Sequence, residues 1–189
     1  MNALSLDQQR EEFAARPFLA MPIAGMIAWA LIAVAGATLS LNGQVWAVYI
    51  GTGFIFYLGL LVAKFTGEDL LGRHRPKNVF DRLFMNGVAG ALLVYALAIP
   101  FFLEEPTSLP LTVGVLAGLM WMPFSWIIQH WVGIFHAVTR TVLCVAAYYA
   151  FPEARFVAIP AVIVAIYAIT ILVLLRRRRE VSLVATAAT

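Results

Sequence analysis

The chain has 189 residues, of which 62% are hydrophobic and 12% charged, with a formal net charge of +3. Mean hydropathy is +0.89 and the sequence pI is about 9.3. A soluble domain is nearer ~45–50% apolar and ~25% charged, so composition excludes one and points to an integral membrane protein.

Residues 1–16 are mixed polar and predict a short cytoplasmic N-terminal segment. Ser5 and Gln8 have capping-box spacing, and Leu6 and Phe13 fall where one face of a surface helix would hold them. Residues 17–179 form the predicted membrane domain. Pro17 starts span one, 18–41, which is too long for a secretory h-region of ~7–15 residues. Asn42-Gly43 mark a turn, and span two occupies 44–65. A polar stretch leads to span three at 83–103, which Glu104-Glu105-Pro106 end. Spans four, five and six follow at 109–128, 131–151 and 156–175. Each is near the ~20 residues that cross a ~30 Å hydrocarbon core. The expected fold class is thus all-α, a polytopic bundle of six transmembrane helices, with residues 180–189 a disordered cytoplasmic tail.

The turn between spans four and five is open in the sequence, because only Gln129 and His130 interrupt the apolar run and Gly133 is the nearest turn-former. A turn at Gly133 leaves Arg140 shallow enough to snorkel, whereas a turn at Gln129 puts it near the midplane.

Charge placement sets the expected orientation. With the N-terminus in the cytoplasm, the inner segments hold Arg10, Arg16, Lys64, Arg73, Arg75, Lys77, Arg82 and residues 176–179. The outer loops then hold Arg155 with Glu104, Glu105 and Glu153, which is the positive-inside pattern with both termini inward. Arg73, Arg75 and Lys77 read as a topology signal touching anionic lipid or a partner, not as a nucleic-acid surface, which would need a soluble basic platform.

Cys144 is the only cysteine and rules out an intramolecular disulfide. Three scattered histidines and the absence of any HExxH or Cys/His cluster predict neither a metal site nor a cofactor. No nucleophile elbow, phosphate loop or intramembrane carboxylate pair is present, which weighs against an enzyme.

Span five carries the informative pattern. Gly133, His136, Ala137, Arg140, Cys144, Ala147 and Tyr148 share one helical face, with Val138, Val142, Val145 and Tyr149 opposite. The small and polar face should point into the bundle. An arginine in lipid costs ~2.5–3.5 kcal/mol on insertion scales, and no Asp or Glu lies inside any apolar segment to pair with Arg140. Its partners must be uncharged groups, water, lipid headgroups or a bound anion. One reading is a site for a small anionic or amphipathic ligand, bound or transported, with Arg140 as fixed charge and His136 as a titratable donor. Thr52 and Tyr57 on span two and Tyr95 on span three would line it, with Tyr167 on span six at similar depth. The competing reading is an arginine satisfied by carbonyls and hydroxyls that locks packing. A further alternative is a non-catalytic scaffold or regulator acting through the basic inner face.

Gly114 and Gly118 have GxxxG spacing, and Ala20, Ala24 and Ala28 repeat at four, so close helix packing within the chain or in a homo-oligomer is expected. Trp121, Trp126 and Trp131 read as belt aromatics, and Pro123 between them predicts a kink.

At Gly51-Thr52-Gly53-Phe54-Ile55-Phe56-Tyr57-Leu58-Gly59 through Lys64, and at Gly114-Val115-Leu116-Ala117-Gly118 through Met122-Pro123-Phe124-Ser125-Trp126, the chain resembles a domain-of-unknown-function family of small bacterial multi-pass membrane proteins. The likeness covers about residues 18–150. It implies a compact helical bundle in a bacterial inner membrane and supplies no activity.

Overall fold

A computed structural model describes residues 4–72 and 78–187. The elements among them are ten α-helices and two short 3-10 turns, without strands. The expected all-α bundle is what forms, because each long apolar run satisfies its backbone internally, as a bilayer demands.

Helix α1, Leu6–Ala14, begins with the expected box: Ser5 Oγ accepts from Gln8 N and Gln8 Oε1 accepts from Ser5 N. Phe13 is buried, but Leu6 stays exposed, so only one of that pair faces protein. Helix α2, Ala20–Thr38, presents Ala20, Ala24 and Ala28 inward, as their spacing predicts.

Span two is two helices, α3 at Leu41–Gly53 and α4 at Ile55–Thr66, bent by 51°. Gly51 and Gly53 weaken the helix there, and Thr52 Oγ1 donates back to Val48 O at 2.6 Å, a bond that bends helices. The pair still returns along the full length of α2. Gln44 Nε2 donates to Gly36 O and Leu39 O at one end, while at the other Glu68 Oε1 accepts from Leu19 N and Ala20 N. Among the described residues five helical segments are long and apolar enough to cross a membrane, or six with the bent pair counted as one span.

Span three also divides, into α5 at Val79–Leu93 and α6 at Tyr95–Glu104. Span four is α7, Leu109–Gly118, followed by α8, Trp121–Ile127. Pro123 accounts for the break in span four: it has no N–H for Leu119 O, and Met122 N takes that carbonyl instead at 3.0 Å. The Ser125 hydroxyl donates to His130 O across the next turn.

The chain turns at Gln129, whose φ is +51°, and α9 runs Val132–Ala150. Arg140 is therefore the ninth of 19 residues, at mid-span. Helix α10, Arg155–Ala187, continues past the four arginines, where the sequence reading places a disordered tail from residue 180. No glycine or proline follows Arg179 to stop it.

The two ends of the bundle are tied differently. At one, Arg177 donates to Ala14 O, Asn78 Nδ2 to Gln9 O, and Arg16 pairs with Glu12 and Asp81. Both chain ends therefore lie at the same end of the bundle. At the other, Arg155 bonds Tyr148 O and Thr107 and stacks 3.7 Å from the Tyr148 ring centroid. Thr107 also donates, through hydroxyl and backbone, to Glu105, and these bonds hold that carboxyl below the usual carboxylate range.

Candidate functional site

Helix α9 buries the face that the spacing singles out: Gly133, His136, Ala137, Arg140, Cys144 and Ala147 all lie inside. Val138, Val142, Val145 and Tyr149 are exposed on the opposite side. Close approach makes this possible. A Cβ on Gly133 would collide with Trp121 O, so α8 and α9 touch backbone to backbone there.

Arg140 is 1% exposed. Its Nη1 donates to His136 Nε2 and to Tyr167 Oη, both at 3.4 Å, and its Nε has no partner. The guanidinium carbon lies 5.4 Å from the Trp29 ring centroid and 5.6 Å from that of Tyr167. Two glycines make room. A Cβ on Gly118 would sit 2.9 Å from Arg140 Cδ, and one on Gly25 would sit 2.6 Å from the Tyr167 hydroxyl. The GxxxG pair thus packs within the chain, with Gly114 against Ile163 of α10.

The hydrogen bonds fix the histidine tautomer. Thr170 Oγ1 donates to Ile166 O at 2.8 Å, so toward His136 Nδ1, 2.9 Å away, it accepts. The proton is therefore on Nδ1, and Nε2 offers its lone pair to Arg140. His136 is an acceptor for the arginine, which replaces the titratable donor that the sequence reading assigns to it. Trp121 stacks on its ring at 4.2 Å and is buried, not a belt residue, whereas Trp126 and Trp131 are exposed.

Arg140 and Tyr167 border a cavity of about 600 Å³. Thr52, Tyr57 and Tyr95 also line it; His136 does not, and stands behind Arg140. Thr52 Oγ1 and Tyr95 Oη are hydrogen-bonded across α3 and α6. Tyr57 is 65% exposed and forms part of the outer wall. Apolar walls come from Met21, Ile55, Phe56, Phe84, Val88 and Leu92. The bend at Thr52-Gly53 brings Ile55, Phe56 and Tyr57 to the wall. At the end where α1 docks, the lining includes Arg16, Glu68, Asp69 and Asp81. No ion pair among the described residues involves Arg140. Arg73, Arg75 and Lys77, the expected lipid- or partner-binding residues, lie outside the described residues. Groups of three or more metal-capable side chains are absent among the described residues.

The residues that sequence reasoning does not bring to Arg140 are Trp29, Gly118 and Thr170. Trp29 follows the Ala20–Ala24–Ala28 face by one residue, and the spacing of Gly118 signals packing without naming what packs on it.

Fold and site together define a multi-pass helical membrane protein with a buried cation beside a cavity among its helices. The chain belongs to a family of unknown function, DUF7010, whose model matches residues 6–177. No curated protein and no solved structure matches it.

Proposed function

We propose that this protein binds a small anionic or amphipathic ligand, or carries one across the bilayer, with Arg140 as the charge that holds it. One observation supports the reading above the rest: a guanidinium 1% exposed, at mid-span, bordering a cavity and contacting only uncharged groups. A guanidinium presents five N–H donors, and here two uncharged acceptors at 3.4 Å and two ring faces are what it meets. If Arg140 served packing alone, a closer set of carbonyl acceptors and no adjacent space would be expected. An anion entering the cavity supplies what the uncharged partners lack.

The basic end carrying α1 faces the cytoplasm of a bacterial inner membrane in this proposal, on the strength of the arginine and lysine distribution. Thr52 and Tyr95 line the cavity with their hydroxyls bonded to each other, and Tyr57 lies on the ligand's route.

The test is to purify the wild type and Arg140→Gln in detergent and identify by mass spectrometry the acidic small molecules retained by each. The expected result is an acidic molecule held by the wild type and lost from a variant with unchanged elution and helix content. Equal retention by both, or retention that depends on Arg73, Arg75 and Lys77 instead, would overturn this reading in favour of docking on the basic face.

A further inference from the structure

Resting on that reading, we infer that the ligand is a monocarboxylic acid with a compact apolar body, its carboxylate on Arg140. Charge count comes first. Of the described residues lining the cavity, Arg140 is the cation away from the α1 end, and Arg16 at that end already holds Glu12 and Asp81. Glu68, Asp69 and Asp81 line that same end, so among the described residues it offers a ligand no surplus of positive charge. A phosphate monoester, with ~1.5–2 negative charges, finds one cation for two charges. A monoanion is matched.

Shape comes second. A guanidinium fork takes a carboxylate through two parallel N–H···O bonds, and Arg140 borders the cavity with two 3.4 Å bonds that both leave from Nη1. An amino acid would bring an ammonium beside that guanidinium, which has no described carboxylate in ion-pair reach. The rest of the ligand has to fill apolar space. Cavities of ~300–1,000 Å³ enclose drug-sized molecules, and this one holds about 600 Å³ walled by Met21, Ile55, Phe56, Phe84 and Val88. An inorganic anion would leave most of it unfilled.

Trp29, within 5.4 Å of the guanidinium, provides the readout. The full chain in detergent is titrated with hydrocinnamate, its uncharged alcohol and phenyl phosphate while tryptophan fluorescence is followed. Hydrocinnamate should bind saturably, and the alcohol at least about tenfold more weakly, as loss of a charge-assisted pair implies. Phenyl phosphate should also bind more weakly than hydrocinnamate. Arg140→Lys, which keeps the charge without the fork, should narrow the preference, and Arg140→Gln should erase it. Phenyl phosphate binding as tightly as hydrocinnamate would overturn the carboxylate assignment and leave Arg140 as an anion site. The alcohol matching the acid in the wild type would overturn both. Failure of all three probes to bind saturably would overturn the ligand class alone, since the retained-molecule experiment judges the site independently.

Discussion

At the scale of single residues, two contacts decide how Arg140 is held. Gly118 lets the arginine side chain cross α7, and even a methyl group there would sit 2.9 Å from Cδ and 3.1 Å from Nε. Arg140 can yield only toward the cavity it borders, which would draw it off His136 and Tyr167. Gly118→Ala should therefore destabilise the protein by about 1–3 kcal/mol, the usual cost of overpacking, read as a lower thermal midpoint in detergent. The second contact is Thr170. Thr170→Val keeps the shape but removes the acceptor that holds the His136 proton on Nδ1. The His136 Nδ1–H is then buried without an acceptor, and moving its proton to Nε2 would only point a donor at the Arg140 donor. The expected cost is about 1–3 kcal/mol, read as a lower thermal midpoint in detergent. An unchanged midpoint would show that Thr170 does not hold that proton.

At the scale of elements, α1 is held mainly by polar contacts around one apolar anchor. Phe13 packs against Phe18, Phe80 and Phe84, with centroids 4.9 to 6.3 Å away. Around it, Arg16 bridges Glu12 of its own helix to Asp81 of α5. Half-exposed ion pairs contribute ~0–1 kcal/mol, enough to bias a short helix between docked and free without unfolding the bundle. Asp81→Asn should speed tryptic cleavage at Arg10 several-fold while the thermal midpoint moves little. Unchanged cleavage would leave Phe13 as the element that holds α1. The bent span α3–α4 matters for a different reason. Its break at Gly53 and Phe54 turns Ile55 and Phe56 toward the cavity, and Glu68, just past α4, accepts from the first amides of α2. One local weakness in helix propensity thus shapes both the cavity wall and the end of its neighbour.

At the scale of the whole molecule, counting the bent pair as a sixth span would put both chain ends on one side. The Arg177 bond to Ala14 O joins them there, and the Arg155–Thr107 contact marks the opposite side. In a Cys144→Ala background, cysteines placed at Leu4 and at Arg178 should react with an impermeant maleimide from the same side of the membrane. A cysteine at Glu153 should react from the other. Labelling of Leu4 and Arg178 from opposite sides would mean that the α3–α4 pair is re-entrant and that the bundle has five crossings. Span three is the least embedded part of this architecture, with 6% of its window buried against 39–44% for spans one, four, five and six. It forms one wall of the cavity, so it is the wall with least to lose by moving.

The sequence by itself determined which lengths of chain are apolar enough to cross and which face of α9 turns inward. Both follow from local quantities, an insertion cost summed over about twenty residues and a 3.6-residue period, and neither needs a partner helix. It also indicated that Arg140 would meet uncharged groups, because a missing intramembrane acid can be read directly. What it left open was settled by tertiary structure. The turn at Gln129, where φ is positive, put Arg140 at mid-span. Packing across helices brought Trp29 to it from α2 and Tyr167 from α10, and seated Thr170 behind His136. Those residues lie 27 to 111 positions from their partners, and no periodicity along one helix specifies which side chain of another will fill the space beside it. Only glycines placed for close approach, and the bends they permit, decided that.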